Sequence, residues 1–475
     1  MGDAPFARAP SPPLASALSW PPSAPPPPDS APARKGEERL AAARRAQGPW
    51  AELPAWRRAR DVAGVRRRLL ANAEASAELV AGEVGKLPEE VLWHEVLPCA
   101  EAVERWRDLL AEGLEPDEVP IGPPPFAGRR ALVYREPRGV LGVVPSDADP
   151  LASALGTAVP ALMAGNAVVL RPSARSLRTA ELVESLFERV VPPGLVTVLG
   201  PEAELDGPFL DAVDAVVVEG RADEVQPWLG LCASAATPCF ARARSPGVAF
   251  VLEGADLGRA ADALAWAAVS GAMRGSPLRF AFVARGLLEP LAARLEASAA
   301  AAAPAGGAPG LAEGARPRRL EPSALAAQPP GGPFALVALD DPEAALAALG
   351  PLRPFGFVSV WSGDRRRAEA LARRVDAPVV TLDELASPAA LAALPWAGPG
   401  PGAGAHRTLA ELTRARLVVR GGRRAYVGLA GFPYSAAWRA LARAFARAAG
   451  AAELAARLGA LASLGRALPK RWLRR

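Results

Sequence analysis

PALMAGNAVVLRPSARS, residues 160–176, brings the groups most suited to chemistry into one short run. A small-residue turn (Ala161, Ala164, Gly165) leads into an apolar strand, Ala167 to Leu170, which ends in Arg171, Pro172 and Ser173. A cation and a hydroxyl at a strand's carboxyl end suit a nucleotide, because parallel sheets present ligands there. Two other runs end in the same way. VLGVVP closes on Pro145, and VVVEGRA carries Gly220, where a missing Cβ permits close backbone approach to a phosphate. Pro145, Arg171, Ser173 and Gly220 are therefore the candidate cofactor-binding residues. For covalent chemistry there are three thiols, Cys99, Cys232 and Cys239. They show no C-x-x-C spacing, and two histidines, His94 and His406, are too few for a histidine-built metal centre, so no metal ligands are assigned.

The elements that must position these groups alternate. Residues 36–112 read as helices, with apolar residues recurring at three and four. VLGVVP, helix LASALGTAVPALMAG, strand AVVL, helix TAELVESLFERVV, strands LVTVLG and DAVDAVVV, and helix ADEVQPWLGLCASAA follow. This alternation predicts an α/β fold with a parallel, doubly wound sheet. Residues 296–332, rich in Ala, Pro and Gly, read as linker, and a second α/β unit follows from ALVALDD to APVVTL.

Charge is unevenly spread. Residues 421–475 hold ten arginines and Lys470 against Glu453 alone, so a strongly basic tail follows an acidic body. Trp438, Leu441 and Phe445, interleaved with Arg439, Arg443 and Arg447, predict an amphipathic helix. Its readings, in order, are docking onto the body or a partner subunit, and lying on an anionic membrane surface. Nucleic acid is not expected, because no aromatic stacking platform accompanies the arginines. The first 34 residues read as a disordered proline-rich leader. Unpaired cysteines and the lack of a long apolar run point to a reducing, cytoplasmic location, with a peripheral membrane placement as the second reading.

PALMAGNAVVLRPS, with REPRGVLGVVP, VPPGLVTVLG and PWAGPGPGAGAHRTLAELTRAR, resembles the aldehyde dehydrogenase superfamily from about Glu37 to Arg420. The resemblance implies a Rossmann-type cofactor domain (35–118 and 137–243), oligomerisation strands (119–136 and 406–420), a shortened catalytic domain (244–405) and the basic helical tail (421–475). It also implies NAD or NADP as cofactor and a homodimer, or a hetero-oligomer with an active relative.

The family's chemistry needs three groups, and each position reads differently here. The thiolate belongs in a G-Q-x-C loop, where this chain has Gly275, Ser276, Pro277, Leu278 and Arg279. The water-activating glutamate belongs in E-L-G-G, where Phe240, Ala241, Arg242 and Ala243 stand. The oxyanion-binding asparagine of P-W-N-x-P falls in PSDADP, where Asp147 would repel a developing alkoxide. On the cofactor side Arg171 replaces a lysine, Ala174 a glutamate, and VEGR a phosphate-binding turn; Gln328 or Pro329 stands where a second glutamate holds the nicotinamide ribose. The expectation is a catalytically impaired homologue with no catalytic residues of its own, acting as a binding or subunit-partner protein. The rival expectation is an active NAD(P)-dependent oxidoreductase drawing its nucleophile from Cys232 or Cys239.

Overall fold

The computed structural model describes residues 31–120, 129–202, 206–271, 278–302, 318–328, 334–349, 355–377, 379–385, 405–421 and 435–450. The chain divides into two units. The smaller comprises residues 115–135 and 415–475. Strands β1 (Asp117–Pro120), β2 (Arg129–Pro137) and β14 (Thr413–Gly421) form a sheet in the order β1-β2-β14, with β1 antiparallel to β2. Strand β14 is thus an edge, and its Leu417 and Val419, two residues apart and so on one face, are 60% and 50% exposed. The tail helix Ala436–Gly450 displays Arg439, Arg443 and Arg447 to solvent, while Ala444 is buried. The rest of the tail reading, 422–434 and 451–475, lies outside the described residues, as do residues 1–30 of the leader.

The larger unit holds two parallel sheets. In the first, β3 (Val140–Val144), β4 (Ala167–Leu170), β5 (Val196–Val198), β6 (Ala215–Arg221) and β7 (Cys239–Arg244) lie in the order β5-β4-β3-β6-β7. The runs VLGVV and AVVL are apolar throughout because both faces of β3 and β4 are buried. The second sheet contains β8 (Gly247–Val251), β9 (Leu278–Ala284), β10 (Arg318–Leu320), β11 (Ala335–Leu339), β12 (Phe357–Trp361) and β13 (Val380–Leu382). Its order is β10-β11-β9-β8-β12-β13.

The PALMAGN segment is the joint of the first sheet. The helix Pro150–Met163 stops at Gly165, whose φ of 101° needs glycine, and Asn166 follows. Asn166 is wholly buried and accepts from Gly139 N (3.1 Å) while donating to the carbonyls of Ala161 and Leu412 (3.0 Å each). Trp50 Nε1 donates to Leu162 O at 2.8 Å, and Arg58 donates to the carbonyls of Met163 and Ala164, tying the N-terminal helices to the same turn.

Three sequence expectations change. Residues 296–302 are not linker but the end of the helix Leu288–Ala302, since an alanine run propagates helix well. Within the same expected linker, Arg318–Leu320 pairs in parallel with Ala335–Val337 as an edge strand. VEGR is not a turn: β6 continues through Arg221, with Glu219 opposite Arg242 and Gly220 opposite Ala243.

Candidate functional site

The carboxyl ends of β3, β4, β6 and β7 gather the sequence-derived candidates. Arg171, 4% exposed, directs its guanidinium onto the segment after β5. It donates to Asp206 Oδ1 (3.1 Å from Nε, 2.7 Å from Nη2), to Glu202 O (2.7 Å) and to Gly200 O. Ser173 Oγ donates to Asp147 Oδ1 at 2.6 Å, and Ser176 Oγ to the same oxygen at 2.8 Å. The buried Pro145 lies two residues before this aspartate. The structure therefore joins the ends of β3 and β4 through Asp147, and turns Arg171 away toward Asp206.

Gly220 opens onto the helix Ala222–Ser234. A Cβ built on Gly220 would stand 2.6 Å from Glu224 Oε2. The same oxygen accepts from Arg221 N at 2.8 Å. An anionic oxygen of the protein thus satisfies a backbone donor at the start of this helix, where the helix dipole favours negative charge.

Beneath these groups lies a buried chain of ion pairs that the sequence reading did not identify. Lys86 Nζ contacts Glu95 Oε1 at 2.9 Å and Asp149 Oδ1 at 2.6 Å. Arg244 pairs with Asp149 Oδ2 and, at 2.9 Å, with Glu219 Oε1. All five side chains are under one-tenth exposed. Glu95 Oε2 also accepts from Leu151 N (3.0 Å) and Ala152 N (3.2 Å) at the start of the helix Pro150–Met163. Burial disfavours charge on Lys86, yet Asp149 and Glu95 outweigh it and raise its pKa above the ordinary lysine value. Burial pushes Glu95 upward, with Lys86 opposing.

Arg242 extends the buried charge. It donates to Glu411 Oε2 (3.2 Å from Nε, 2.9 Å from Nη2) and to Thr157 Oγ1 (3.0 Å). Arg242 and Arg244 share one face of β7 because strand side chains alternate. The ARAR pattern, which puts two arginines on the buried face of a half-buried strand, was the available signal for both.

The thiols differ in setting. Cys99 is buried, and desolvation with the charges of Glu95, Asp149 and Glu219 pushes its thiol far up, so it is not a ready thiolate. Cys232 is buried near the end of the helix Ala222–Ser234, and Cys239, the first residue of β7, is half-buried. Gly275, Ser276 and Pro277 lie outside the described residues, as does Pro329. Leu278 and Arg279 are not loop residues, as expected from the sequence, but begin β9 and are buried. Arg279 donates to Gln328 O at 3.2 Å, so the carbonyl of Gln328 is engaged in holding β9. Phe240 lies under the Arg138 guanidinium, 4.7 Å from ring centre to Cζ.

The aldehyde dehydrogenase family model matches residues 29–304, more than half of the chain. The chain belongs to the aldehyde dehydrogenase family. Its segment of 234 residues is 27% identical to a 4,4'-diapolycopene aldehyde oxidase from Methylomonas sp., covering 49% of this chain and 44% of that protein. The chain thus spans under half the length of that curated relative. Solved structures share the aldehyde dehydrogenase fold. An NAD-dependent benzaldehyde dehydrogenase from Corynebacterium glutamicum superposes with a TM-score of 0.68 at 19% identity, over 81% of this chain and 88% of that one. A Mycobacterium tuberculosis aldehyde dehydrogenase complexed with NAD+ gives 0.68 at 20% identity, over 82% and 90%.

Among the described residues, no helix is long and apolar enough to cross a membrane.

Proposed function

We propose that this family member is a non-catalytic binding or subunit-partner protein whose nucleotide and reaction sites are filled by its own side chains. The observation that carries the reading is the buried series Lys86–Glu95–Asp149–Arg244–Glu219 at the carboxyl ends of the first sheet. Those ends are where a doubly wound sheet receives its ligand. Charges already paired there would have to be separated, at a cost of several kcal/mol each, before another group could use them (~3–5 kcal/mol for breaking a buried pair).

The arrangement does not fit a dinucleotide. Arg171 would have to leave Asp206 and two carbonyls to reach a ribose or phosphate, and Ser173 would have to leave Asp147. Glu224 brings a carboxylate to the helix start beside Gly220, which repels a phosphate. Phe240 at the position of the water-activating glutamate, and Asp147 at that of the oxyanion donor, support the same reading of the chemistry.

A subunit-partner role draws support from the smaller unit, where the edge strand β14 leaves backbone donors and acceptors beside exposed Leu417 and Val419. The partner would be a second copy or an active relative, in a cytoplasmic setting.

Calorimetric titration with NAD and with NADP, paired with an aldehyde turnover assay, tests the proposal. No saturable heat at millimolar nucleotide and no NAD(P)H formation are expected. Saturable binding, or turnover by the pure protein, overturns it and restores an oxidoreductase reading.

A further inference from the structure

The two thiols Cys232 and Cys239 lie on opposite sides of one sharp turn. The helix Ala222–Ser234 ends in a Schellman arrangement: Thr237 N donates to Cys232 O at 2.9 Å, and Ala236 N to Ala233 O at 3.2 Å. Ala236, at the turning residue, has φ 54°, a left-handed conformation that a non-glycine residue seldom adopts. Three residues later the chain enters β7, where Cys239 pairs with Val216. The reversal packs both residues into the same core cluster, with the two thiols close enough for each to perturb the other.

Their surroundings differ. Cys232 is wholly buried against the first sheet's core. Cys239 is half-buried at the start of β7, which is the edge strand of that sheet, so solvent reaches it from one side.

We propose that Cys232 and Cys239 form a reversible dithiol–disulfide site that responds to hydroperoxides. Its oxidation closes a staple between the helix Ala222–Ser234 and β7. In the first step the Cys239 sulfur attacks a peroxide oxygen. An S–O bond forms, the O–O bond breaks, and the leaving hydroxide takes up the thiol's proton as water. In the second step the Cys232 sulfur attacks the sulfenic sulfur. An S–S bond forms, the S–O bond breaks, and a second water leaves with the remaining proton. Two electrons pass from the sulfurs to the hydroperoxide, and an external thiol reverses the reaction. Access sets the order of the two steps, because solvent reaches Cys239 and not the wholly buried Cys232.

The site is independent of the non-catalytic reading and needs no nucleotide. The test uses the full chain. Protein is treated with hydrogen peroxide, alkylated under denaturing conditions and weighed intact. Of the three cysteines, only Cys99 should then take up reagent, with a mass loss of two hydrogens and one peptide cross-link joining Cys232 to Cys239. Dithiothreitol should restore all three reactive thiols. Cys232→Ser and Cys239→Ser should each lose the intramolecular link. A bidentate arsenical, phenylarsine oxide, should bind the reduced wild type one to one and neither variant. Independent oxidation of each sulfur to the sulfinic state, or links only between chains on a non-reducing gel, overturns the proposal.

Discussion

Arg171 donates to Asp206 Oδ1 through two nitrogens, and the same guanidinium holds the carbonyls of Gly200 and Glu202. The cation at the end of β4 thereby anchors the segment that follows β5. Arg171→Ala would leave Asp206 and two carbonyls without their donor. It should lower unfolding free energy by about 2–4 kcal/mol in a urea titration, as expected for a buried charged hydrogen bond. A change confined to nucleotide affinity, with stability intact, would instead make Arg171 a ligand group.

Lys86 supplies the pH prediction. Its raised pKa means that its contribution is complete below the ordinary lysine value and is lost only as pH rises through the raised value. In Lys86→Met the buried Glu95 and Asp149 lose their shared ammonium, and the Glu95 carboxyl moves further above its unfolded value. A carboxyl raised in this way contributes stability at low pH and loses it as pH rises through the raised value. The variant should therefore be about 3–5 kcal/mol less stable than wild type at neutral pH, with the deficit shrinking on acidification. A deficit that stays level across a pH series of denaturant melts would show that the pairing is not electrostatic.

Asn166 gives a test of the joint. Asn166→Ala removes the acceptor for Gly139 N and the donor for two carbonyls in a fully buried place. Differential scanning calorimetry should register a loss of about 2–4 kcal/mol. Asn166→Asp should be no rescue, because it cannot donate.

At Ala236 the expected sign is reversed. Ala236→Gly places the residue suited to a left-handed turn at the end of the helix Ala222–Ser234. It should stabilise the fold by about 0.5–1 kcal/mol. A loss of stability would mean that the methyl group's packing outweighs the backbone strain.

Association is tested on β14. Leu417→Lys with Val419→Lys places two cations on an exposed edge strand and leaves the core untouched. If β14 joins subunits, sedimentation should report a shift to monomer, whereas an unchanged mass would place the interface elsewhere.

How much of this was legible depended on range. PALMAGNAVVL could be read because its signals are local: small residues, a glycine turn and a strand apolar on both faces. The arginine at position 171 was visible as a cation, but its partner lies 35 residues on, and spacing alone did not show that it would turn inward. Lys86, Glu95 and Asp149 meet across separations of 9 and 63 residues, and each alone looks like an ordinary solvated charge. The alanine-rich stretch after Glu296 was misread because composition marks linkers and helices alike when the chain is mostly alanine.

The depth of the Lys86–Arg244 series has a consequence for the response to salt. Mobile ions screen charges that face water over roughly a Debye length of about 10 Å at 0.1 M, and reach buried pairs far less. Exposed couples such as Arg285 with Asp340 should therefore weaken as ionic strength rises, while the interior series keeps its attraction. The molecule carries, in effect, a desalted interior whose electrostatic order is insulated from the composition of its surroundings.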